Sequence, residues 1–373
     1  MPSLGEITAL LDEWYPPEDA ERWDAVGLVC GDPDADVRRI LLAVDPVTAV
    51  AEEAIELGAQ LVVTHHPLLL KGVHGVPATH PKGRIVHRLL RAGCALFTAH
   101  TNADSPAGGV SEALAHALGV SDPRPLEPRP RKLDKFVVFA PADSAERIRA
   151  ALVEAGAGAT GAYDSCSFTS VGEGRFRPLD GARPTVGSIG ELGTVDEVRI
   201  EVVAPRELRG RVYAKLRAAH PHEEPAHDII ELASEEDRSH GSGRIGDLAE
   251  PITLKEFAAR VARVLPPTAH GVRVAGDPEQ RVETVALCGG AGDFLLERAR
   301  SQGADVYLTS DLRHHPASEL RELRGAPALV DVAHWAAESI WLPVLRGRLL
   351  DALGDTVEAS VSTKNTDPWT FRA

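Results

Sequence analysis

Two histidines stand side by side in LVVTHHPLLLKG, residues 61–72, and other segments offer groups that could join them. ALFTAHTNAD contains His100, Asn102 and Asp104, and PALVDVAHWAAE contains His334 with Glu338 four residues later. Imidazole and carboxylate together suit divalent zinc, iron or manganese and argue against calcium. If His334 opens a helix, its ring and the Glu338 carboxylate stack on one face and can grip one ion or neighbouring ions. Adjacent side chains of a strand point to opposite faces, so His65 and His66 can share a site only where the strand ends. Pro67 biases His66 toward an extended geometry and bars a helix from starting there. His65, His66, Asp104, His334 and Glu338 are too many for a catalytic zinc with three protein ligands and too few for two separately saturated ions. Two ions about 3.5–4 Å apart, sharing a bridging carboxylate and a bridging water, satisfy the count, with Glu338 or Asp104 as the bridge. Taken singly, each group could equally be a solvated or hydrogen-bonded loop residue. Their clustering at three strand ends favours the metal reading.

Those strand ends require a sheet. ILLAV (40–44), a helix through Glu53 and Leu57, LVVT (61–64), a helix around RIVHRLLRAG, ALFTA (95–99) and a helix in VSEALAHALG alternate, as in a largely parallel sheet with helices on its faces. DPRPLEPRPRK (122–132) reads as a linker. FVVFAP then runs into the helix SAERIRAALVEAG, and IEVVAP into RELRGRVYAKLRAAH, before a final strand HDIIEL. A repeated strand-helix unit of this kind fits a small ferredoxin-type α+β domain. It ends near the acidic, then glycine-rich connector SEEDRSHGSGRIG. From Leu254 the alternation resumes through VETVALCGG, VYLTSD, PALVDVAH, a long helix from about Trp335 to Leu353, and TVEASVS. The expected organisation is an α/β core, residues 1–128 and 237–373, interrupted by an inserted domain, residues 129–236. The candidate ligands come from both sides of the insert.

A chain of 373 residues exceeds one ordinary core. Its 40 Lys plus Arg against 55 Asp plus Glu give a net charge of −15, which repels phosphate backbones and disfavours nucleic-acid partners. No apolar run has the length of a membrane span, and MPSLGEITALLDEW lacks a basic start before an apolar block, so a soluble cytoplasmic protein is expected. Cys30, Cys94, Cys166 and Cys288 show no CxxC spacing; Cys94 and Cys288 fall in apolar runs and read as buried thiols.

Other residues admit two readings each. His100 is a proton shuttle or ligand orienter, or a structural hydrogen bond in its turn. Asp45 and Asp331, at strand ends, orient ligand imidazoles or cap helices. Lys71 and His74 meet an anionic substrate or line a solvated loop. CGGAGDF cradles an oxyanion or makes a tight turn, and lacks the GxxxxGK[ST] spacing of an NTPase loop. His314 and His315 invite a second-metal reading, but His315 is expected to face substrate or to support a ligand from behind without being a ligand itself. In HPHEEPAHD, residues 220–228, an accessory site competes with a turn leading into an edge strand.

In order along the chain, WDAVGL, HHPLLLKG, HTNAD, CGGAGDF, TSDLRHHPASE, DVAHWAAE and NTDPW resemble motifs of the Ngg-interacting-factor-three-like proteins, also labelled GTP cyclohydrolase 1 type 2 homologues. The resemblance covers nearly the whole chain. It implies a dinuclear metal site with ligand positions at His65, His66, Asp104, His334 and Glu338, two similar α/β halves, and a ring-shaped homohexamer. HPHEEPAHDI is similar to the HPYEEPAYDI of long members, whose inserted domain is like PII or CutA. Departures are Ala25 for asparagine, Ala291 for serine, Ser310 for glycine, and His222 and His227 for tyrosines.

Two divalent ions (Zn, Fe or Mn) with open positions suit hydrolysis of a small molecule, with Asp104 or His100 as proton acceptor. The family label implies a nucleotide whose purine ring is opened. The alternative is a non-catalytic metal-binding or regulatory protein whose insert senses a small molecule.

Overall fold

Ser3 and Glu6 close a capping box on α1 (Leu4–Trp14), and the same device, Thr253 with Glu256, opens the helix Leu254–Val264 in the second half of the chain. The computed structural model describes residues 1–181, 188–233 and 235–373. After α1 come β1 (Gly27–Cys30), β2 (Arg39–Ala43), α2 (Thr48–Leu57), β3 (Leu61–Thr64), α3 (Pro81–Arg91) and β4 (Ala95–Thr98). The short α4 (Thr101–Asp104), α5 (Val110–Ala117) and β5 (Val120–Arg131) follow. The inserted elements are β6 (Leu133–Pro141), α6 (Ala145–Glu154), β7 (Ser167–Phe176), β8 (Gly193–Pro205), α7 (Arg209–Ala219) and β9 (His227–Glu231). The chain continues through β10 (Glu235–Thr253), α8 (Leu254–Val264), β11 (Val272–Ala275), β12 (Arg281–Ala291), α9 (Leu296–Ser301) and β13 (Val306–Ser310). It then forms α10 (His314–Arg321), β14 (Ala328–Val332), α11 (His334–Ser339), α12 (Trp341–Leu353) and β15 (Glu358–Val361).

Two compact units result: Met1–Arg129 with Arg238–Ala373, and Pro130–Asp237. The first unit holds two sheets, ordered β1-β4-β3-β2-β15 and β11-β14-β13-β12-β10-β5. In each, three parallel strands (β2, β3, β4; β12, β13, β14) carry an antiparallel strand (β1; β11) beside the last of them. The two halves therefore repeat one plan, each entered through a capped helix. Leu61, Val62 and Val63 are buried, as expected for a strand covered on both faces.

Three expectations need correction. The proline-rich segment read as a linker is the edge strand β5; prolines are tolerated there because one side of an edge strand has no partner to bond. The connector SEEDRSHGSGRIG enters β10, and its Ser234 lies outside the described residues. The long helix is broken at Ile340 into α11 and α12. Pro343, in the first turn of α12, has no N–H for the carbonyl four residues back, and its ring crowds that carbonyl. The last strand, β15, pairs in parallel with β2 in the first sheet.

The Trp341, Leu342, Leu345 and Leu349 side chains of α12 join the core of the first sheet, whereas Ala336 and Ala337 of α11 join that of the second. Trp335 packs against both. The helix carrying His334 and Glu338 thus sits on the seam between the two half-cores. The second unit is an antiparallel sheet, β7-β8-β6-β9, packed against α6 and α7 through Phe136, Val138, Ile148, Leu152, Val212 and Leu216. Its βαββαβ order and strand arrangement are ferredoxin-like. Among the described residues no helix is long and apolar enough to cross a membrane.

Candidate metal centre

Both histidines at the end of β3 reach one cluster, because the strand is ending where they stand. Backbone bonds from His65 N to Ala43 O and from His66 N to Val44 O hold the pair at the carboxyl edge of the sheet, where open α/β sheets place ligands. The rings lie 5.2 Å apart. His66 is also 5.2 Å from the His334 ring, and His65 is 5.2 Å from the His100 ring.

Glu338 is at the centre. Its Oε1 lies 2.8 Å from His334 Nε2 and 3.3 Å from His65 Nε2, and its Oε2 lies 3.0 Å from His66 Nε2. The helical spacing of His334 and Glu338 on α11 places them on one face, as the sequence predicts. Candidate ligand atoms of His66, His334 and Glu338 lie within 4.8 Å of one another, and so do those of His65, His66 and His100. Asp104 joins neither triplet; its Oδ1 is 3.8 Å from His65 Nε2.

Every imidazole is held from behind. His65 Nδ1 bonds Ala99 O at 3.0 Å, His66 Nδ1 bonds Asp45 at 2.7 Å, His100 Nδ1 bonds Asp24 at 2.8 Å, and His334 Nδ1 bonds Asp311 at 2.6 Å. This fixes the tautomer that leaves Nε2 available, the usual arrangement behind metal-ligating histidines. Of the two strand-end aspartates, Asp45 orients the His66 imidazole and is itself held by the Thr366 hydroxyl. Asp331 does not; it accepts from His270, Arg273 and Leu312 N instead. Sequence reasoning missed the orienting roles of Asp24 and Asp311. The only signal was their presence in the WDAVGL and TSDLRHHPASE motifs.

His65 Nε2, Asp104 Oδ1 and Glu338 Oε2 are buried without a hydrogen-bond partner. Leaving such atoms unsatisfied costs about 1–3 kcal/mol each, more when charged. Asp104 and Glu338 flank His65 Nε2 at 3.8 and 3.3 Å, and lone-pair atoms gathered this closely are what a cation would satisfy, so the residues fit a bound divalent metal. Electrostatics agree. Burial opposes ionisation of Glu338, but His66, His65 and His334 hold its carboxyl well below the usual range. Burial likewise opposes charge on His66 and His334, yet Glu338 with Asp45 and Asp311 pushes them up to about 10 and about 11. Burial raises Asp104.

The glycine-rich CGGAGDF segment brings backbone close. Gly290, at φ 71°, passes so near the cluster that a Cβ there would stand 2.5 Å from Glu338 Oε1 and 3.1 Å from His334 Nε2. Gly292 is similarly confined by the Tyr307 and Thr309 hydroxyls. Lys71 and His74 are exposed on the loop after β3. His314 and His315 are exposed at the start of α10 and face each other edge to face, outside the cluster. In the insert, His220 bonds Phe139 O and His222 N, and His227 bonds Pro225 O before the edge strand β9, which is the turn reading.

A core of two like α/β halves, interrupted by a ferredoxin-like domain and carrying a partly buried histidine-carboxylate cluster on its seam, defines the class. The family described as Duf34/NIF3 (NGG1p interacting factor 3) matches residues 2–368, and the chain belongs to it. It is 49% identical over 369 residues to a Mycobacterium tuberculosis protein named GTP cyclohydrolase 1 type 2 homolog, covering 98% of this chain and 96% of that one. A Bacillus subtilis protein of the same name is 36% identical over 370 residues, 98% of each. Among solved structures, a Bacillus cereus protein related to NIF3 superimposes with a TM-score of 0.82 at 35% identity, covering 100% of this chain and 99% of that one.

Proposed function

We propose that this chain is a dinuclear metal-dependent hydrolase of a nucleotide or cyclic amide. The observation that carries the reading is the gathering of the Nε2 atoms of His65, His66 and His334 around the Glu338 carboxylate, with Asp104 beside His65. His65, His66, Asp104, His334 and Glu338 would hold two divalent ions (Zn, Fe or Mn). Glu338 is the better candidate for the bridge, since it faces three imidazoles. A bound pair supplies Lewis acidity and an activated water at neutral pH. The chain's own contribution is orientation and proton handling. Asp24 steers His100 so that its Nε2 can accept a proton, and Asp45 and Asp311 keep His66 and His334 in ligand tautomers. The nucleotide is suggested by the name its relatives carry, and a ring-shaped homohexamer by family resemblance.

The test is elemental analysis of protein purified without chelator, paired with a turnover screen over nucleotides and cyclic amides. About two metals per chain with turnover that Glu338→Ala abolishes, the fold intact by circular dichroism, is the expected result. Two metals with no turnover across the panel would favour a metal-binding or regulatory protein.

A further inference from the structure

A cavity of about 320 Å³ opens between α10, β11 and β14 and is lined by Arg273, Arg313, Arg321, His314, Leu312 and Asp331 among others. Three guanidiniums on one cavity are unexpected in a chain carrying −15 net charge. Three carboxylates accompany them, Asp331 within the cavity wall, Asp293 beside it and Asp311 next to Leu312, so what distinguishes the cavity is the donors that its arginines leave uncommitted.

The ion pairs leave donors over. Asp331 Oδ1 is taken by the Leu312 N–H, so Arg273 directs both Nε and Nη2 to Oδ2, which His270 also shares. Arg313 likewise places Nε and Nη2 on the single oxygen Oδ2 of Asp293. Arg321 gives only Nη1, to Pro327 O. Among the described residues, Nη1 of Arg273, Nη1 of Arg313, and Nε and Nη2 of Arg321 bond no protein group. A guanidinium anchored on one edge and open on the other is positioned to take a planar or tetrahedral oxyanion at little further ordering cost.

The position of the cavity is informative. Leu312 directly follows Asp311, which holds His334, and Asp293 lies in the glycine segment that presses Gly290 against Glu338. We infer that this pocket is a phosphate-binding site for a phosphorylated small molecule. In a hydrolase of the proposed kind, on which this role rests, it receives the phosphates of the substrate. The volume accommodates a short polyphosphate, and the neutral part of the ligand would extend out of it.

Isothermal titration of the full-length, metal-stripped protein tests the pocket without turnover. Pyrophosphate, inorganic phosphate, GTP and guanosine are the probes. Saturable binding of pyrophosphate and GTP, one per chain, with none for guanosine, is expected; phosphate binding as tightly as pyrophosphate would identify the free ion as the ligand and overturn the assignment to a phosphorylated molecule. Arg321→Gln, which breaks no ion pair, should weaken binding about tenfold, as should Arg313→Gln, with thermal melts confirming the fold. Absence of saturable binding, or unchanged affinity in the Arg313→Gln/Arg321→Gln double variant, refutes the site. Because no catalysis is read, a protein that binds pyrophosphate yet hydrolyses nothing keeps the pocket and loses only the hydrolase.

Discussion

Asp311 accepts the Nδ1 proton of His334 at 2.6 Å from a left-handed backbone position, φ 57°. Such a φ is uncommon for a residue with a Cβ, although aspartate tolerates it better than most. A strained residue whose carboxylate serves one imidazole is readily explained by the service it performs. Asp311→Asn keeps the shape and removes the charge that raises the basicity of Nε2. Metal affinity should fall about 10–100-fold by chelator competition while circular dichroism is unchanged. Equal affinities would show that the contact is incidental.

Gly290 has two reasons to be glycine, its positive φ and the 2.5 Å approach of a virtual Cβ to Glu338 Oε1. Gly290→Ala should cost about 1–2 kcal/mol from the backbone alone, and it should also displace Glu338. Reduced metal stoichiometry together with a lower melting temperature is the expected pair of readouts.

The histidine cluster sets a pH dependence whose sign can be worked out. His66 and His334 are raised to about 10 and about 11 from an ordinary 6.5, against burial and mainly by Glu338. Folded values above the unfolded ones mean stability fully present below about pH 6.5 and lost as pH climbs through the folded values. Glu338, depressed, loses its share only in acid. The metal-free protein should therefore melt at progressively lower temperature from pH 7 to 10. Metal-loaded protein should show a flatter profile, since ligating imidazoles carry no ionisable proton at Nε2, and loading at pH 7 should release protons, measurable by titration in buffers of different ionisation enthalpy. Parallel melting profiles with and without metal would contradict the assignment.

Arg244, 1% exposed, spends all its donors inside the first unit: on Glu112, on Gly241 O and Gly243 O, and on Ser105 O and Pro106 O just beyond Asp104. It ties the segment that follows Asp104 to β10. Arg244→Ala strands these acceptors and should destabilise by about 3–5 kcal/mol, seen as a lower midpoint in denaturant unfolding. A midpoint shift of under about 1 kcal/mol would mean that water replaces the guanidinium.

Much of the centre could be read from the chain because its parts follow local periodicities. The i to i+4 spacing of His334 and Glu338 becomes one helical face, and HHP at a strand end becomes two rings on one edge. What escaped depends on contacts remote in sequence. Asp24 meets His100 only because the antiparallel β1 brings its lead-in beside the end of β4. Asp311 meets His334 through a left-handed turn that no propensity marks. The prolines of β5 were misleading because the signals that punctuate loops are also those an edge strand tolerates. The pairing of β15 with β2 is a crossover between halves, which alternation of strands and helices cannot reveal.

That crossover bears on how the protein is made. Asp45, which steers His66, is gripped by Thr366, 321 positions further along, in the tail that follows β15. A ribosome emits the β3 histidines long before either Thr366 or Glu338 exists. Cation capture by a nascent polypeptide would then be partial and reversible, and secure retention would have to await the emergence of Thr366, so both halves of the core must be made before the first can hold its ion firmly.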